Sequence, residues 1–86
     1  MKGLVFRVNR EIGIAAVQTQ PGEYSIFDFH GNGPVETGDA VRWEGNTLLG
    51  PLPLCNLTKN KTFEVFFQCH QITQEQLNRQ FLVEPA

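Results

Sequence analysis

From residue 3 to residue 9 the side chains alternate about the backbone. Leu4, Phe6 and Val8 fall on one side, and Val5, Arg7 and Asn9 on the other. A period of two predicts a strand, here with both faces partly apolar. Arg10-Glu11 predicts a tight connection into a second strand over residues 12–19, where Ile12, Ile14 and Ala16 share one face and Gly13, Ala15 and Val17 the other. A glycine at a strand start signals a bulge or a close backbone approach. Pro21-Gly22 supplies the two central positions of a type II turn. An aromatic-rich third strand is expected over residues 24–30, and Gly31-Asn32-Gly33-Pro34 predicts the loop that follows it. Thr37-Gly38-Asp39 forms a second turn. A fourth strand, Ala40 to Glu44, has Val41 and Trp43 on one face, and the chain turns again at Glu44-Gly45-Asn46.

Pro51 and Pro53 cannot donate to a ladder, so residues 47–57 read as an edge strand or an extended loop. The last strand runs from Thr62 to Gln71, with Phe63, Val65 and Phe67 opposed to Glu64, Phe66 and Gln68. Thr73 followed three residues on by Gln76 is a capping box, with Ile72 and Leu77 at the two hydrophobic-staple positions and Glu75 in the first turn. Leu77 and Phe81 are four apart and share a helix face that needs a docking surface. Trp43, sharing its face with Val41, is expected to fill the core.

A chain of 86 residues is one domain. Its expected parts are a barrel over residues 1–71 and a helix with its tail over residues 72–86. Apolar residues make up 41% and charged residues 19%, a balance that suits a folded globule. The net charge of −2 weighs against a dedicated nucleic-acid binder. Charge is nonetheless clustered: residues 1–10 hold Lys2, Arg7 and Arg10 with no acid, and Lys59 and Lys61 form a second basic spot. No apolar run approaches a membrane span, and the opening residues turn polar too early for a signal peptide, so the expected setting is the cytoplasm. In that setting Cys55 and Cys69 are expected as free, half-buried thiols.

The residue types for catalysis or metal binding are present, but their spacing is wrong. His30, Cys55, Cys69 and His70 contain no Cys-x-x-Cys or His-x-x-x-His pair to seed a zinc site. Cys69 and His70 are neighbours on a strand and point to opposite faces, which prevents a nucleophile–base bond. His30 reads as an exposed turn residue. No glycine loop carries the Lys-Ser/Thr of a phosphate cradle. No enzyme activity, cofactor or metal is expected.

The segment Gly3-Leu4-Val5-Phe6-Arg7-Val8-Asn9-Arg10-Glu11-Ile12-Gly13-Ile14-Ala15-Ala16-Val17 resembles the opening of a cold-shock domain, Gly-x-Val-Lys-Trp-Phe-Asn-x-x-Lys-Gly-Phe-Gly-Phe-Ile. Ser25-Ile26-Phe27-Asp28-Phe29 is similar to its Val-Phe-Val-His-Phe, and Val35 to Glu44 to its fourth strand, Leu-x-x-Gly-x-x-Val-x-Phe-Glu. The resemblance covers residues 3–44. It implies a five-stranded Greek-key barrel of the oligonucleotide-binding type, with the helix appended. It also implies single-stranded RNA or DNA as the ligand, taken weakly, at Phe29, Arg7, Arg10 and Lys2, with Lys59 and Lys61 peripheral. The departures lie in the stacking platform of that family. Arg7 stands at its tryptophan position, Ile14 and Ala16 at two phenylalanines, and Ile26 and Asp28 at a phenylalanine and a histidine. Two readings of that altered face follow. Either Leu77, Phe81 and Leu82 cover it, or it receives a nucleic acid or a protein partner. The alternative function is therefore a protein-interaction module that has kept the barrel and lost the ligand.

Overall fold

The computed structural model describes residues 1–30 and 33–81, the last by its backbone alone. Six strands precede one helix: β1 (Lys2–Asn9), β2 (Ile14–Gln20), β3 (Glu23–Asp28), β4 (Ala40–Trp43), β5 (Gly50–Asn56), β6 (Lys61–Ile72) and α1 (Gln74–Phe81). The strands close into an antiparallel barrel in the order β1-β2-β3-β6-β5-β4, with β4 returning to β1. β1, β2 and β3 form a meander. The segment after β3 crosses one end of the barrel and delivers β4 beside β1, which is the Greek-key connection. Among the described residues no helix is long and apolar enough to cross a membrane.

The expected barrel of five strands gains a sixth. Residues 50–56 pair along their full length with β6, from Gly50 opposite Phe67 to Asn56 opposite Lys61. The prolines permit this because of their parity. Leu57 donates its N–H to Ala40 O at 2.7 Å, so the alternate residues 55, 53 and 51 also aim their nitrogens at the β4 side. Pro51 and Pro53 therefore cost no bond to β6. Pairing with β4 stops at Trp43 opposite Leu54, where the next donor would be Pro53.

Two of the register shifts, one in β1 and one in β6, overturn the expected facing of those strands. In β1 the register shifts between Val5 and Arg7. Val5 and Val8 therefore both pack into the barrel interior, where simple alternation sets them on opposite faces. In β6, Ile26 pairs with Cys69 and Phe27 with Phe67, so Gln68 is the extra residue. The third strand is shorter than the expected 24–30. It ends at Asp28, whose Oδ1 accepts the His30 N–H at 2.7 Å and turns the chain through a His30 φ of +60°. Gly22 has a φ of +83°, the left-handed position that the Pro21-Gly22 turn requires. Gly31 and Asn32 of the expected loop lie outside the described residues.

Inside the barrel, Val17, Phe27, Trp43, Leu54 and Phe67 form one buried cluster. Trp43 and Phe67 have ring centroids 4.7 Å apart, and Phe27 and Phe67 are 5.5 Å apart in an edge arrangement. Such pairs add about 0.5–1.5 kcal/mol each beyond the area they bury. Trp43 is 2% exposed, as its expected core role requires, and donates its indole N–H to Asn46 O at 2.9 Å.

The helix starts as its sequence dictates. Gln76 Oε1 accepts the Thr73 N–H at 2.8 Å, and Thr73 Oγ1 accepts the Gln76 N–H at 3.2 Å. This reciprocal pair satisfies two end groups that an eight-residue helix could not otherwise spare. Glu75 and Arg79 pair at 3.5 Å along its exposed side.

Candidate functional site

The outer face of β2 and β3, where the resemblance places a ligand, is closed. Ile14, Ala16, Tyr24 and Ile26 form a second buried cluster with Leu77 of α1, and Ala16, Ile26 and Leu77 are 0% exposed. Phe6 and Ile72 pack at its margin, and the Phe6 and Tyr24 rings lie 5.0 Å apart. Ile14, Ala16 and Ile26 are thus the floor under a helix. An amphipathic helix buries its stripe where apolar surface is offered, and this sheet face offers it. Leu77 is the lid residue that the structure shows. The side chain of Phe81 and all of Leu82 lie outside the described residues.

The six residues expected to hold nucleic acid do not converge on one surface. Phe29 is 3% exposed and belongs to the interior cluster, so neither face of its ring is offered to a base. The Arg10 guanidinium lies 5.5 Å above that ring and donates to Val35 O. It fastens the crossing segment to the β1–β2 turn. Lys59 Nζ is 2.7 Å from Glu36 Oε1 and 3.6 Å from Asp39 Oδ2. The hydrogen bond to Glu36, aided by the charge of Asp39, raises the Lys59 pKa above its ordinary value. Lys61 is exposed at the start of β6, and Lys2 sits opposite Arg42 where β1 meets β4. Arg7 lies over the Phe6 ring at 5.8 Å.

Lys59 belongs to a bracket that reasoning from the sequence missed. Asp39 is 5% exposed and Asn56 0%. Asp39 Oδ2 accepts the Glu36 N–H at 3.0 Å and the Asn56 Nδ2–H at 2.8 Å. Asn56 also donates to Pro34 O at 2.7 Å and accepts the Lys59 N–H at 3.0 Å. Buried polar atoms are tolerable only when satisfied in this way. The bracket ties the crossing segment to the β5–β6 turn across 17 residues of sequence, and no local signal marks it.

A Ser–His pair was also missed. Ser25 Oγ and His70 Nδ1 are 2.8 Å apart, and His70 Nε2 is 2.8 Å from Leu48 O. A carbonyl only accepts, so neutral His70 carries its proton on Nε2 and receives the Ser25 hydroxyl on Nδ1. The imidazole also stacks on Phe67 at 4.9 Å and on Trp43 at 6.0 Å. Ser25 is 1% exposed, which leaves its hydroxyl no approach for a substrate. This pair locks the loop between β4 and β5 onto the end of the barrel. The Gln68 bulge is what turns His70 inward, and a bulge cannot be read from alternation. Cys55 and Cys69 are both free and half-buried, as expected, and burial raises the Cys69 thiol pKa.

A groove of about 430 Å³ lies open on the outer surface of β1. Leu4 pairs with Gln18 on one side and Ala40 on the other, and Leu57 continues the row beyond Ala40. Leu4 is 55% exposed and Leu57 43%, so the floor of the groove is aliphatic and wet. Gln18, Thr19, Gln20 and Pro21 wall one end. A polar recess of about 320 Å³ lies between the β1–β2 turn and the end of β3, but two of its lining groups, Arg10 and Asp28, are already tied to backbone. Comparison of the chain with protein-family models, with curated proteins and with solved structures returns no match.

Proposed function

We propose that this chain is a non-catalytic protein-interaction module built on a closed barrel, acting in the cytoplasm. The observation that carries the reading is the contrast between two apolar faces. One, on β2 and β3, is sealed by Leu77 at 0% exposure, and the other holds Leu4 at 55% and Leu57 at 43% in an open groove. Contiguous exposed aliphatic surface destabilises a free monomer's solubility and persists where a partner covers it. Among the described residues that line it there is no aromatic ring on which a base could stack. Two free thiols suit a reducing compartment.

The test pairs two measurements on the intact chain. Anisotropy of a fluorescent single-stranded oligonucleotide is followed at low and moderate salt, beside an Arg7→Ala, Lys61→Ala double variant that spares the buried Phe29. In parallel, a photo-crosslinking residue is placed at Leu57 or, as a control on another face, at Glu64, in nuclease-treated extract of the source cells. The expected result is no oligonucleotide binding at micromolar protein, with a saturable adduct from position 57 that unlabelled protein competes away and position 64 lacks. Oligonucleotide binding that weakens with salt and with the double variant, without a position-specific adduct, would overturn the proposal in favour of single-stranded RNA or DNA.

A further inference from the structure

We infer that the groove on β1 receives an extended peptide segment of a partner protein in which aliphatic side chains are interspersed with acidic ones. The inference rests on the interaction-module reading and specifies its ligand.

The apolar half of that ligand follows from the floor. Leu4 of β1, Ala40 of β4 and Leu57, the residue after β5, form a row, and aliphatic side chains need aliphatic partners to displace the water above it. The acidic half follows from charge. Among the described residues that line the groove, Lys2 is the one charged side chain. Arg42, exposed, stands directly opposite Lys2 in the β1–β4 ladder. Two cations therefore border an apolar floor on a chain whose net charge is −2. Complementary charge steers encounter and excludes partners of the wrong sign.

Other occupants fit less well. A second copy of this chain meeting face to face across the groove would present the same surface, adding Lys2 and Arg42 again and, among the described groove-lining residues, no acidic side chain to pair them. Like charges brought together in this way oppose the contact. Strand addition is closed as a route because β1 already pairs with β2 along one edge and β4 along the other at Lys2–Leu4. The segment must bind through its side chains. The side-chain amides of Gln18 and Gln20 at the end wall can hydrogen-bond its backbone, while the Thr19 hydroxyl beside them already donates to Glu23 O at 3.4 Å.

The experiment uses the whole chain and short fluorescein-labelled peptides. In one peptide leucine alternates with aspartate, in a second with lysine, and in a third the leucines are replaced by serine. Binding is read by anisotropy, and its position by backbone amide shifts. The expected result is saturable binding of the leucine–aspartate peptide alone, with shifts confined to residues 2–4, 18–20, 40–42 and 57. Leu4→Asp should weaken it by roughly tenfold, as loss of a central anchor does. Lys2→Glu should give a smaller loss that fades as salt rises. Both side chains are exposed, so urea unfolding of each variant should match wild type and show that the loss is local. Equal binding of the lysine and aspartate peptides, shifts outside the groove, or indifference to Leu4→Asp would each overturn the inference. So would a concentration-dependent dimer in sedimentation that Leu4→Asp abolishes. If no peptide binds while the position-57 adduct persists, this ligand class is wrong and the interaction module stands. If both are absent, the two fall together.

Discussion

Truncation of Leu77 to alanine should destabilise the protein by about 2–3 kcal/mol, with the loss concentrated in α1. Leu77 is 0% exposed and rests on Ile14, Ala16, Tyr24 and Ile26. Removing a fully buried leucine side chain forfeits about 1.5–3 kcal/mol of transfer free energy. In a rigid interior an unfilled cavity raises the total towards about 5 kcal/mol. Here one wall of that cavity is an eight-residue helix that can settle inward or detach. Such a helix is marginal on its own, so the loss cannot exceed what holds it to the barrel. For a domain of this size the expected change corresponds to a fall in melting temperature of about 10–20 °C. Urea unfolding measures the total, with Leu49→Ala as the control. Leu49 is 62% exposed, and its truncation should stay within about 0.5 kcal/mol of wild type. Amide exchange locates the loss: the Leu77 amide, bonded to Thr73 O at 2.9 Å, should lose protection while those of Val17 and Phe27 keep theirs. If Leu77→Ala behaves like Leu49→Ala, the helix does not seal the face and the contrast behind the proposed function disappears. Equal acceleration in β2, β3 and α1 would show one cooperative unit and refute the separable lid.

Thr73→Ala removes one arm of the capping box and should cost about 1 kcal/mol, read by urea unfolding. Gly3→Ala should cost roughly 1–3 kcal/mol or more, because an added Cβ meets the side chain of Val17 and lies 2.7 Å from the backbone oxygen of Gln18, which cannot rotate away. Iodoacetamide followed by mass spectrometry should label Cys55 before Cys69, since burial raises the Cys69 pKa and leaves it less thiolate. Equal rates would refute the packing assigned to Cys69. The folded-state pKa of Lys59 is raised, chiefly by its hydrogen bond to Glu36, so its stabilising contribution is complete below the ordinary lysine value of about 10.4 and declines as pH rises through the raised one. Lys59→Met should lower stability at neutral pH and flatten that alkaline decline in unfolding curves taken against pH.

The features legible in the sequence are those set by groups a few residues apart. Thr73 and Gln76 are three apart, and their reciprocal bonds form as the spacing predicts. Pro21-Gly22 carries its own turn geometry, and Phe63, Val65 and Phe67 declare the inward face of β6 up to its bulge. A Greek-key barrel with a terminal helix follows from such signals together with the order of the strands. The candidate site was less legible. The aliphatic residues at Ile14, Ala16 and Ile26 mark a face in need of cover, but the two readings of that face are equal until Leu77 is placed on it.

The tertiary structure alone decided the rest. Bulges beside Phe6 and at Gln68 reset which residues face inward, because one inserted residue reverses the side chains that follow until a second insertion restores them, as happens in β6 between Cys69 and Ile72. Closure of β5 on β6 added the sixth strand, and the parity of Pro51 and Pro53 could be judged only once the neighbour of each edge was known. Arg10 and Lys59 look like free cations in the sequence and prove to be fasteners, since their acceptors at Val35, Glu36 and Asp39 lie 20 or more residues away. The groove exists because Leu4, Ala40 and Leu57, distant in the chain, meet on one outer row. A sequence determines the conformations that neighbouring residues impose on one another. Which distant residues share a surface is settled by strand register and barrel closure, and those depend on the free energy of the whole packed chain.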